Sequence, residues 1–141
     1  MRFRRLTEEE LAALEPEFVK FLSSQGIDAA EWQKAKSEKP HKVEYLLDEF
    51  STFFWESTTS RITYLEKLTA EDRWVFKFNE TTARVLRWIS SKNGVKPEVY
   101  KGTKEFPEEA RGREIFILLE QGLLPCTEDR HTELEELFKE V

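Results

Sequence analysis

The stretch Pro40–Leu68, PHKVEYLLDEFSTFFWESTTSRITYLEKL, constrains this chain more than any other. At roughly 100° per residue, Val43, Leu46, Leu47, Phe50, Phe53, Phe54, Tyr64, Leu65 and Leu68 fall on one face. Pro40 suits the first turn of a helix, where a missing N–H costs nothing. The pattern predicts one long amphipathic helix over about 40–68, central to the fold. Arg61 projects onto the middle of its apolar face, beside Ser57, and a buried guanidinium needs a partner. Trp55 and Ile62 project roughly 100–120° off the main stripe, so the helix has two apolar flanks to cover.

A chain of 141 residues can bury its own core, and we expect one domain, 1–141. Aromatic content of 13% beside charged content of 35% implies an aromatic core under a heavily charged surface. The single Cys126 excludes an internal disulfide and offers no zinc-ligand spacing, which suits a reducing compartment. MRFRRLTEEEL leads into a charged helix rather than an apolar core, so no signal peptide is expected. No apolar run is long enough for a membrane span. The expected location is the cytoplasm.

The net charge of −6 is unevenly spread. Between Arg73 and Lys104 eight basic residues face only Glu80 and Glu98, a local charge of +6 against −12 elsewhere. Such asymmetry speaks to partners rather than to fold.

Taken in order, Thr7 with Glu10 forms a capping box, and Pro16 interrupts the helix that follows, which stops at Gly26. Asp28 with Glu31 opens a short polar helix carrying Trp32 and Ala35. The period changes at Trp74. In WVFKF, Trp74, Phe76 and Phe78 share one side and Val75 and Lys77 the other. Over Arg84–Ser90, Leu86 and Trp88 share one face and Val85, Arg87 and Ile89 the other. Asn93-Gly94 is a hairpin signal, and Pro97 places the third strand, Val95–Lys101, at an edge. The expectation is a three-stranded antiparallel sheet over about 74–101. Helical patterns return with Ile115, Phe116, Leu118 and Leu119, ending at Gly122. After Pro125 a last helix, capped by Thr127 or Thr132, carries Leu134, Leu137, Phe138 and Val141. The class is α+β, with helices packed on a small sheet.

Two places invite a functional reading. Arg61 could hold an anion or pair a carboxylate in a groove. Equally, it could snorkel to the surface or make a structural ion pair with a residue such as Glu56. Trp74, Phe76, Phe78 and Trp88, interleaved with Lys77, Arg84 and Arg87, have the composition of a base-stacking platform. The same pattern arises when the rings form core and the cations are solvated. Catalytic signals are thin. His41 with Glu44 supplies two ligands where a metal needs three or four, and Cys126 with His131 lacks any accompanying nucleophile motif. No phosphate-cradling loop is present. We expect no catalytic residues, no metal and no cofactor.

RRLTEEELAALEPEFVKFLSSQGI, the Asp-x-x-Glu-Trp opening, DEFSTFFWE, YLE, VFKF and REIFILLEQG resemble a family of small uncharacterised bacterial proteins, a domain of unknown function. The resemblance covers Met1 to about Phe78 and resumes near Arg113–Gly122. Some members carry a name implying histidyl-tRNA synthetase. The chain is too short for that catalytic domain and has none of its ATP- or histidine-binding motifs. The resemblance implies a stand-alone protein and carries over no functional residues.

The leading expectation is a non-catalytic protein-binding or adaptor module whose partner is another protein. RNA or a ribonucleoprotein, held by the basic 73–104 segment, is the alternative. A small enzyme with a pocket joining Arg61 to a carboxylate or His41 is the third. An edge strand near Pro97, with Trp55 and Ile62, leaves a homodimer open.

Overall fold

Thr7 caps the first helix as its side chain dictates. Its Oγ1 accepts from the Glu10 N–H at 3.2 Å while Glu10 Oε1 accepts from the Thr7 N–H at 2.8 Å. The computed structural model describes residues 3–91 and 96–139, which group into two compact units, Met1–Ser57 and Thr58–Val141. The Asn93-Gly94 signal lies outside the described residues.

In the first unit, α1 (Glu8–Ala13) gives way at Leu14 to α2 (Glu15–Ser24), with Pro16 in its first turn. Gly26, at φ 75°, ends α2 in the left-handed conformation that glycine adopts without penalty. Asp28 Oδ1 accepts from the Glu31 N–H at 2.8 Å and opens α3 (Ala29–Glu38). Pro40 starts α4 (Pro40–Ser60). Leu22, Ile27 and Leu46 form a buried cluster with Phe18, Phe21 and Trp32 packed against it. The Phe18 ring meets Phe50 at 5.0 Å and Trp32 at 5.2 Å, both edge-on. Ser51, fully buried on α4, accepts from the Leu6 N–H at 2.9 Å, and Trp55 Nε1 donates to the Arg4 carbonyl at 3.0 Å. The flank of α4 that carries Trp55 is therefore covered by the N-terminal segment.

The expectation of a helix over 40–68 is corrected here. α4 stops at Ser60, after the run Ser57-Thr58-Thr59-Ser60, whose hydroxyls compete for backbone groups and weaken a helix. The Arg61 and Ile62 N–H groups bond to Thr58 and Thr59 carbonyls in tightened closing turns. Arg61 is exposed just past the helix, not at the middle of a buried face.

Residues Tyr64–Leu68 form a strand, β1, in the second unit. It joins β2 (Asp72–Phe78), β3 (Thr82–Ile89), β4 (Glu98–Glu105) and β5 (Leu124–Cys126) in a five-stranded sheet of order β4-β3-β2-β1-β5, antiparallel throughout. The sheet has five strands where three were expected. β1 was hidden inside a helical projection, and β5 is only three residues long and contains Pro125. Pro97 immediately precedes β4, which is an edge as its proline implied.

The register sorts the side chains. Leu65 pairs with Phe76 and Phe76 with Val85, while Phe78 pairs with Ala83. That face is covered by α5 (Arg111–Glu120), which follows a 3-10 turn at Glu108–Ala110, and Leu65, Phe78, Ala83, Phe106, Ile115 and Leu123 form its core. On the opposite face Val75, with Leu86, Trp88 and Val99, meets Leu134 and Phe138 of α6 (Glu128–Lys139). Thr127 caps α6, its Oγ1 accepting from the Arg130 N–H at 3.1 Å.

Candidate functional site

The alternation of β2 and β3 sends Val75, Arg84, Leu86 and Trp88 to the α6 side of the sheet, and that of β4 sends Lys101 there too. α6 crosses β1, β2 and β3 and packs as far as Val99 of β4, leaving Lys101, Gly102 and Thr103 of β4 to border an opening. A half-open cleft of about 510 Å³ results. Its floor is Val75 and Leu86. Arg84, Lys101 and Thr103 line one side and His131, Glu135 and Lys139 the other.

His131 sits in the first turns of α6, with its N–H bonded to the Thr127 carbonyl. It is 5% exposed, and its ring lies 4.8 Å from that of Tyr64. One turn on, Glu135 Oε1 lies 2.8 Å from His131 Nε2 and 3.7 Å from an Arg84 guanidinium nitrogen. A carboxylate only accepts, so Nε2 is the donor in this contact. His131 Nδ1 is the one buried side-chain nitrogen or oxygen without a hydrogen-bond partner among the described residues. Desolvation, with Glu128 and Glu135 nearby, holds the Tyr64 phenol above its ordinary pKa. Cys126, opposite Tyr64 in the sheet, is pushed up to about 11 by burial, which keeps it a thiol.

The other face of the sheet is already engaged. Trp74, Phe76 and Phe78 stack in a ladder with centroids 6.1 and 6.3 Å apart. Arg87 lies 4.1 Å from the Trp74 centroid and donates to both carboxylate oxygens of Asp72, at 3.0 and 2.8 Å. That pair holds the Asp72 carboxyl below the usual range. Trp88, on the α6 face, lies under Arg73 at 4.3 Å. A groove of about 420 Å³ beside Trp74 is bordered by Lys67, whose Nζ already donates to the Gln121 carbonyl at 2.9 Å.

Of the residues singled out from sequence, Arg84 borders the cleft. Lys77 shares its face of the sheet, whereas Arg87 and Trp74 lie on the other. The two tryptophans thus occupy opposite faces, each under an arginine. Arg61 and His41 are exposed and belong to different units. Glu135 was passed over, although its four-residue spacing from His131 on a helix is a legible signal. The approach of Arg84 and Lys101 to that pair has no local signal. Among the described residues no group of three or more His, Cys, Asp or Glu side chains could hold a metal, and no helix is long and apolar enough to cross a membrane.

No curated protein and no solved structure matches the chain. The model of a family of unknown function (DUF6495) matches residues 1–95. That span includes Val75, Arg84 and Leu86 of the cleft and ends before Lys101, His131 and Glu135.

Proposed function

The chain belongs to the DUF6495 family of unknown function, and from that premise we propose that it is a non-catalytic binding module whose partner is another protein. The observation that carries this reading is the outer edge of β4. This eight-residue strand ends the sheet, is largely exposed, and has no strand on its outer side among the described residues. Such an edge offers a row of backbone donors and acceptors to an extended segment of a partner. Tyr100, 51% exposed, and Lys101 project to opposite faces of that edge. They suit a segment bearing an apolar residue on one side and an acidic one on the other. A cytoplasmic location accords with this reading.

RNA contact through Arg73–Lys104 has less behind it, because the two tryptophans do not share a face and each already has an arginine over its ring. A small enzyme built on Arg61 and His41 also has less behind it, because both residues are exposed and they belong to different units.

The test is capture from a lysate of the protein's own source, followed by blocking of the edge. Adjacent residues of β4 direct their N–H groups to opposite sides, one to β3 and one outward. Of Tyr100→Pro and Lys101→Pro, one therefore spares the β3–β4 ladder while closing the edge. The variant that keeps the parental Tm is expected to lose the partner. Retention of the partner by that variant, with β4 amide exchange unchanged on binding, would refute the reading.

A further inference from the structure

We propose that the cleft between α6 and strands β2, β3 and β4 binds a small organic anion with an apolar body, its charged head held by Arg84 and Lys101. The volume of about 510 Å³ falls within the range of small-molecule sites. The charge of the lining sets the sign of the ligand. Arg84, Lys101 and Lys139 face one carboxylate, Glu135. Glu135 is committed to His131 at 2.8 Å and stands 3.7 Å from Arg84, beyond hydrogen-bonding distance. Among the described residues Arg84 keeps only that long ion pair with Glu135, so its fork has N–H donors for an incoming oxyanion, which it can bind through two parallel bonds. Lys101 and Lys139 have no carboxylate partner among the described residues. Below these cations the floor is apolar, formed by Leu86, which is half-buried, over Val75. A ligand that were only a charge would leave that floor wet.

His131 closes the inner wall. It is more than nine-tenths buried, it lines the cleft, and its Nδ1 has no partner. A buried ring nitrogen without a hydrogen-bond partner is unfavourable whichever role it plays. His131 thus adds an unsatisfied polar group to a wall that also carries Glu135 and Lys139. The inference shares Lys101 with the partner reading, but Arg84 and His131 lie off the outer edge of β4, so their variants and signals report on the cleft alone.

The anionic head can be a carboxylate or a phosphate ester, and the experiment separates them. The full-length protein is titrated with hexanoate, hexyl phosphate, hexanol and inorganic phosphate by calorimetry, with the His131 ring signals followed by NMR. At least one of the two amphipathic anions is expected to bind with a Kd below ~1 mM and to shift the His131 signals, and the tighter one identifies the head. Hexanol and inorganic phosphate are each expected to bind at least about tenfold more weakly, the first for want of a charge and the second for want of a body. Arg84→Gln, at an exposed position, is expected to weaken binding about tenfold with the circular dichroism spectrum unchanged. Absence of binding by either amphipathic anion up to ~10 mM would overturn the proposal. So would affinity unchanged in both Arg84→Gln and Lys101→Gln, or binding that leaves the His131 signals in place.

Discussion

The guanidinium of Arg111 donates to the carbonyl oxygen of Ile62 at 2.7 Å, and so fastens the start of α5 to the chain leaving α4. The same side chain reaches the carbonyls of Asn79 at 2.9 Å and Thr59 at 3.3 Å. One planar fork thus supplies donors to backbone carbonyls near a helix end and after a strand, where regular ladders run out. Burial holds Arg111 below the ordinary arginine pKa, as expected for a cation paired with dipoles rather than with a carboxylate. Arg111→Ala is expected to destabilise the protein by about 3 kcal/mol. Arg111→Lys should recover less than half, because an ammonium cannot reproduce the fork. Denaturant unfolding measures both, and a loss under about 1 kcal/mol for alanine would show the stitch to be dispensable.

Acid should loosen the N-terminal unit through Glu10. Hydrogen bonds from Arg4 lower its pKa from 4.5 to about 2, with the Thr7 backbone and hydroxyl assisting. The fold favours the carboxylate form, so this contribution is complete above pH 4.5 and is lost as pH falls from 4.5 through about 2. The pair is about one-third exposed, which limits its worth to about 1 kcal/mol. Glu10→Gln should lower Tm at pH 7, and the gap to the parent should close as pH approaches 2. A gap that stays constant over that range would contradict the assignment.

Arg73 over Trp88 and Arg87 over Trp74 are register neighbours on opposite faces of the β2–β3 hairpin. Arg73→Ala should cost about 0.5–1 kcal/mol. Arg87→Ala should cost about 1–2 kcal/mol, since it also strands Asp72. The sheet separates the two pairs, so the losses should add within about 0.5 kcal/mol. A double-mutant cycle with a larger coupling would mean that strain passes through the strand backbone.

At pH 8 Cys126 should react with iodoacetamide about a hundredfold more slowly than an unperturbed thiol of pKa 9, because at about 11 its thiolate is scarce. Unfolding in urea should restore the ordinary rate. Equal rates in the folded and unfolded protein would place the thiol in water.

The elements whose signals are local were legible. Thr7 with Glu10, Asp28 with Glu31, Pro16 and Gly26 each act through atoms within a few residues, and each stands where its chemistry put it. β1 was not legible. Tyr64, Leu65 and Leu68 fit both a helical projection and a strand, and pairing with β2 and β5 settles the matter. The cleft was half legible. Arg84 stood out by charge, and His131 with Glu135 can be read from helical spacing. Nothing within the chain's local pattern brings β3 and β4 beside α6.

The sequence by itself determined where helices start, where two strands alternate and which of their residues share a face, because caps, turns and periodicity are short-range physics. It also determined that an arginine would have to be reconciled with an apolar environment, but pointed to Arg61. Tertiary structure moved that role to Arg111, since only packing decides which backbone carbonyls lose water and therefore which guanidinium is needed. Likewise, the isolation of His131 Nδ1 and the opening beside it depend on where α6 rests on the sheet. That position follows from long-range burial of Val75, Leu134 and Phe138, whose attraction is non-directional and leaves no mark on any one stretch of sequence.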